Sequence, residues 1–94
     1  MIVDLHVKSR TDKGVIWDGT QEVYEEILSL KPTQRWKLVE DKYGLELYCW
    51  DTFNWRGVLV GTWVIREERA GVAIVRPVDP LTVKINYDVE ETRD

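Results

Sequence analysis

One stretch of this sequence carries apolar residues at sustained helical spacing, and most of the chain around it alternates with a period of two. Val23, Ile27 and Leu30, joined by Tyr24 and Leu28, fall on one broad face between residues 19 and 31, as a helix buried along one side requires. Asp18 precedes the stretch as a cap, with Gln21 three residues on completing a capping-box-like pair. Glu22, Glu25 and Glu26 sit early, where the helix dipole favours acid, and Lys31-Pro32 ends the run. A lone amphipathic helix must lay its apolar face on something, and the flanking segments read as strands. The pattern predicts a single α+β domain over residues 1–94: a small, mainly antiparallel twisted sheet with one amphipathic helix packed on a face.

The strands follow from the alternation. Ile2, Val3, Leu5 and Val7 form a first strand, the polar run from Ser9 to Gly14 reads as a hairpin loop, and Val15-Ile16-Trp17 is a second strand. From Trp36 the period of two returns, with a charged turn at Glu40-Asp41-Lys42. Leu45, Leu47 and Cys49 then alternate with Glu46, Tyr48 and Trp50, which gives that strand two usable faces. Residues 51–57 read as a loop, residues 62–66 as a strand, Glu67 to Gly71 as a charged turn, and residues 72–75 as a returning arm closed by Arg76-Pro77. Asp79-Pro80 is a helix start, with a cap and a first-turn proline. Thr82, Val83, Ile85 and Tyr87 have strand propensity, yet the start signal favours a short helical turn over 81–87. Residues 90–94 form a polar tail. The expected core holds Trp17, Ile27, Leu28, Leu47, Trp63, Val64 and Ile74.

A chain of 94 residues buries a smaller share of its surface than a larger one, and oligomerisation is a common remedy. The net charge of -4 lacks the basic face of a duplex nucleic-acid binder and the dense carboxylate array of a DNA mimic. Cys49 is the only cysteine, so no disulfide forms within one chain. The start of the chain has neither basic residues nor a long apolar run, and no segment approaches membrane-spanning length, so a cytoplasmic setting with no membrane contact is expected. Five tryptophans in so short a chain are the unusual count: they either compensate for small size or supply binding platforms. Trp17 is open to both readings, as core or as a stacking surface.

Signals for catalysis are poor. His6 is the only histidine, no Cys or His stands at ligand spacing from it, and there is no phosphate-binding glycine loop, nucleophile elbow or His-Asp-Ser set. The acidic pairs, among them Glu40-Asp41 and Glu67-Glu68, fall where helix faces and turns favour charge, and are expected to be solvated. Neither a catalytic group nor a metal or cofactor is expected. Arg66 and Arg76 end two strands of one expected hairpin, which would bring two guanidinium groups together for phosphate. The other reading is a pair of solvated arginines balancing nearby acids. Trp50, Phe53 and Trp55, with Arg56 among them, make an aromatic loop suited to base stacking or a protein contact. Its other reading is a lid over a small core.

The order of these features has a parallel. Trp17-Asp18-Gly19-Thr20 opens a helix, Leu45 to Trp50 alternate, and Gly61-Thr62-Trp63-Val64-Ile65-Arg66 leads into a glycine hairpin at Gly71. Arg76-Pro77-Val78-Asp79-Pro80 and Tyr87 follow. Over roughly residues 15 to 90 this resembles a broad family of small phage and prophage proteins whose pattern runs "QWDGTN", then "GDWIVRG", then "GEFYPCKPDIFEATYE". The chain departs from it at Thr62, where the family has Asp, at Val83, where it has Phe, and in residues 67–70, which lengthen the hairpin. The resemblance implies kinship with phage sponges that hold cyclic-nucleotide immune signals and so block CBASS defence in the infected host cell. Such a sponge needs no cofactor. It needs cations for phosphates, aromatic surfaces for bases and a multimer, dimer or tetramer, that encloses a cyclic oligonucleotide ligand. Arg66, Arg76, Arg56, Trp50, Trp55 and Tyr48 would supply the first two. The competing expectation is an inhibitor of a host enzyme that acts by protein contact through an aromatic, acidic surface.

Overall fold

A computed structural model describes residues 1–7, 10–51 and 53–89. The strands are β1 (Val3–Val7), β2 (Arg10–Ile16), β3 (Trp36–Asp41), β4 (Gly44–Asp51), β5 (Asn54–Val58), β6 (Trp63–Arg69), β7 (Val72–Val78) and the two-residue β8 (Asp88–Val89). Helix α1 (Gln21–Leu30) joins β2 to β3, and α2 (Pro80–Asn86) joins β7 to β8. The strands make two sheets, one of five strands in the order β7-β6-β2-β1-β8 and one of three in the order β3-β4-β5. Every pairing in them is antiparallel. The α+β architecture expected from the alternation is the observed one, with two sheets in place of one.

The five-stranded sheet is buried on both faces because its alternation is apolar on both. On one face Val15, Val64 and Val75 meet Val23, Ile27 and Leu30 of α1 and Trp36, Leu47, Cys49 and Val58 of the three-stranded sheet, so α1 and both sheets share one core. On the other face Leu5, Trp63, Ile65 and Val78 meet Val83 of α2. Trp17 is 1% exposed and belongs to the first core. Its N–H donates to the carbonyl of Thr62 at 2.9 Å, and its carbonyl accepts from the Gly61 N–H at 2.8 Å. The large indole before the turn is therefore a core residue pinned by backbone bonds.

Several expectations change in detail. Thr20, not Asp18, caps α1: its hydroxyl accepts from the Val23 N–H at 3.2 Å, while Asp18 accepts from the N–H and hydroxyl of Thr20. The backbone turns at Gly19, φ +83°, and this brings Thr20 into the capping position. Residues 10–14 are strand, not loop, because each pairs across to β1. Residues 54–57 belong to β5 and pair with β4. Strand β6 runs through Arg69, leaving a two-residue turn at Ala70-Gly71 with φ of 51° and 79°, the mirror-image turn whose twist matches a hairpin. Ile74, expected in the core, is 42% exposed: it lies on edge strand β7 opposite Glu67. The short helix expected after Asp79-Pro80 is present, with Asp79 accepting from Leu81 and Thr82. The polar tail expected from Glu90 lies outside the described residues.

Two carboxylates among the described residues are buried: Glu67, which was expected in water, and Asp12, from the polar run expected as a loop. Asp12 is 1% exposed and Glu67 2%, neighbours on the face that α2 covers. Burying a charge is costly unless it is paired, and arginines from three strands do the pairing. Arg10 grips Asp12 through two bonds of 2.9 and 3.1 Å. Arg76 and Arg69 reach Glu67 at 2.8 and 3.1 Å, and the Tyr87 hydroxyl donates to Asp12 at 2.8 Å. Burial pushes the Glu67 carboxyl up, but the bond to Arg76 and the charges of Arg76, Arg69 and Arg10 outweigh it and hold the group below its ordinary range. Among the described residues no helix is long and apolar enough to cross a membrane, and no group of three or more His, Cys, Asp or Glu is placed to hold a metal ion.

Candidate functional site

The three-stranded sheet has one face in the core and one face outward, and its aromatics divide by the parity of their positions. Leu47 and Cys49 point inward, so Tyr48 and Trp50 point outward. In the hairpin register Trp50 stands directly opposite Trp55. The two rings meet edge to face with centroids 5.2 Å apart, an arrangement the aromatic quadrupole favours. Tyr48 stands opposite Gly57, whose missing side chain leaves one edge of the phenol ring uncovered. The Tyr48 hydroxyl donates to Glu46 at 2.7 Å, and that bond, with the Glu46 charge, raises the phenol above its usual range.

Cations lie over these rings. The Lys37 ammonium is 5.4 Å from the Tyr48 ring centre and 5.0 Å from that of Trp55, and the Arg35 guanidinium is 5.9 Å from Trp50. Lys37 arrives there because β3 pairs it with Tyr48. Each such contact is worth about 0.5–1 kcal/mol at an exposed site. The face therefore joins half-buried ring surface to positive charge.

The platform borders a groove. A cavity of about 590 Å³ lies where the three-stranded sheet approaches β7, lined by Gln34, Cys49, Trp50 and Arg56 on one side and by Val75 and Arg76 on the other. Its size falls within the range of small-ligand sites. Arg56 is there because it pairs with Cys49, on the opposite parity to Trp55, so the hairpin sends its aromatics outward and its arginine toward the groove.

Four of the six residues expected to bind ligand thus gather around this hairpin: Tyr48, Trp50 and Trp55 on the platform and Arg56 at the groove. Arg76 borders the groove on β7, but its guanidinium lies on the other face of the sheet, against Glu67. Arg66 and Arg76 are the exceptions. The β6–β7 hairpin is real, but its register pairs Arg66 with Val75 and Arg76 with Ile65. The two arginines are one step out of phase and emerge on opposite faces of the sheet. Arg66 instead meets Glu68 at 2.6 Å, beside Lys13 and Thr11. Lys37 and Arg35 were not anticipated. The alternation of Trp36, Lys37 and Leu38 would have put Lys37 outward, but only strand register places it over Tyr48. The Trp-Asp-Gly-Thr and Asp-Pro motifs are spent on turn and cap bonds.

Comparison of the chain with protein-family models, with curated proteins and with solved structures returns no match.

Proposed function

We propose that this chain is a non-enzymatic binding protein for a nucleotide carrying more than one phosphate. Bases would stack on Trp50, Trp55 and Tyr48, and phosphates would meet Arg56 in the adjoining groove. The observation that carries this reading is the outward aromatic face with Lys37 and Arg35 lying over it. Stacking needs no particular base and is worth about 1–3 kcal/mol per base; the cations that cover the rings can swing to the phosphates once a base replaces them. In line with the resemblance to small phage proteins, the ligand we favour is a cyclic oligonucleotide immune signal. It would be sequestered intact in the cytoplasm of the infected cell by a dimer or tetramer that encloses it.

The test is titration with purified cyclic di- and trinucleotides, read by tryptophan fluorescence and calorimetry. Saturable quenching is expected, with the ligand recovered intact on denaturation, and Trp55→Ala should weaken binding about tenfold or more. A linear nucleotide product would overturn the non-enzymatic reading; a flat response to the whole panel would overturn the ligand class. One observation favours a second reading, an inhibitor that docks on a host enzyme. Phe53 is 90% exposed at the tip of the β4–β5 hairpin, and Leu59 80% exposed beyond its end. Under that reading the protein should capture one host polypeptide, and Phe53→Asp should abolish the capture.

A further inference from the structure

We infer that the other face of the five-stranded sheet holds a second site, one that binds a compact phosphate monoester. A cavity of about 590 Å³ opens between α2 and the sheet face that carries Asp12 and Glu67; Arg10, Arg69, Arg76, Lys84, Asn86 and Tyr87 line it. The carboxylates are fully covered, but the guanidinium groups that pair with them are not: Arg10 is 36% exposed, Arg76 56% and Arg69 61%. Each pair is dark at its acidic end and wet at its basic end.

That asymmetry is what an anion site needs. A guanidinium has five N–H donors in a rigid fork. Arg76 and Arg69 each reach Glu67 through one terminal nitrogen, so either fork keeps donors for a second acceptor. A buried carboxylate behind an arginine also fixes its rotamer before any ligand arrives. The side-chain ordering that binding would otherwise cost is then largely met in the free protein. Three guanidinium groups and the Lys84 ammonium face the cavity against Asp12, Glu67 and Asp88, leaving it positive on a chain whose net charge is -4.

The lining also selects the ligand. The Tyr87 hydroxyl is tethered to Asp12, which fixes that ring in the wall of the cavity. Arginine forks match the paired oxygens of a tetrahedral phosphate. The volume exceeds what the phosphate alone fills, leaving room beside Asn86 and Thr82 for the hydroxyls of a small polyol. Arg76 borders both this cavity and the groove beside the aromatic platform, whereas Arg10, Arg69 and Lys84 border this cavity and not that groove.

The experiment is amide-shift mapping by NMR of the whole chain with inorganic phosphate and with glycerol 3-phosphate, against sodium chloride at matched ionic strength. Saturable shifts confined to Arg10, Arg69, Lys84 and Asn86 are expected with both phosphates, tighter with the ester. Arg69→Lys, which keeps the charge and loses the fork, and Lys84→Ala, which leaves both buried carboxylates paired, should each weaken binding about tenfold. Trp55→Ala should leave it unchanged, which separates this site from the aromatic platform. Equal shifts with chloride, or equal affinity for a dicarboxylate such as succinate, would overturn the proposal. So would wild-type affinity in both cavity variants.

Discussion

Gly14 shows how a single residue decides whether the second core can close. A Cβ built there would lie 2.7 Å from Cδ1 of Leu5 and 3.3 Å from atoms of both Ile65 and Trp63, three side chains that pack under α2. Gly14→Ala is therefore expected to destabilise the fold by about 1–3 kcal/mol through overpacking; an unchanged urea midpoint would show that Leu5 yields freely. Glu67 makes a prediction in pH. Because Glu67 titrates below its ordinary value of 4.5 when folded, its contribution is complete above that pH and is lost as pH falls through the lowered value. Tyr87 behaves in the opposite sense. Burial, then the bond to Asp12, pushes its phenol up from 10.0 to about 12, so stability present below pH 10 should fall as pH rises toward 12. Thermal melts across pH should show both limbs, and Tyr87→Phe should remove the tyrosine's share of the alkaline one.

At the scale of elements, α1 stands on its cap and its buried stripe. Thr20→Ala removes the acceptor for the Val23 N–H and should cost about 0.5–2 kcal/mol in urea denaturation, with Thr20→Ser close to the parent. A full loss in the serine variant would mean that the threonine methyl, not the hydroxyl, matters. The helix itself was legible in the spacing of Val23, Ile27 and Leu30, and α2 in Asp79-Pro80. Strand β5 was hidden, because Asn54, Arg56 and Gly57 carry none of the usual strand propensity and the pairing with β4 outweighs it. The same is true of Arg10 to Gly14, a polar segment that becomes strand because β1 and β6 lie on either side.

For the molecule as a whole, the exposed apolar residues bear on assembly. Phe53 at the β4–β5 tip is 90% exposed and Trp50 and Trp55 lie beside it half-buried, a surface that soluble monomers tend to cover. A twofold contact through this face would cover it by self-complementation and would bring Arg56 of two subunits toward one ligand. Light scattering is expected to report a dimer or tetramer. Trp55→Asp should break the assembly without unfolding the chain, while Arg56→Ala should weaken nucleotide binding and leave the assembly intact. A concentration-independent monomer in the unmodified protein would refute the contact.

The sequence by itself determined whatever depends on neighbours along the chain. The helical period of α1, the alternation that put Leu47 inward and Trp50 outward, the cap-and-proline start of α2 and most of the core are all local patterns. Tertiary structure decided what depends on register and on residues far apart. A shift of one position reverses a side chain's face, so pairing Arg66 with Val75 sent two arginines of one hairpin to opposite sides. Asp12 and Glu67 look like solvated turn residues because their partners, Arg10, Arg69, Arg76 and Tyr87, come from separate elements and are brought together only when the sheet and α2 close. A charge can be buried only where its counter-charges arrive with it, and no local pattern records their arrival.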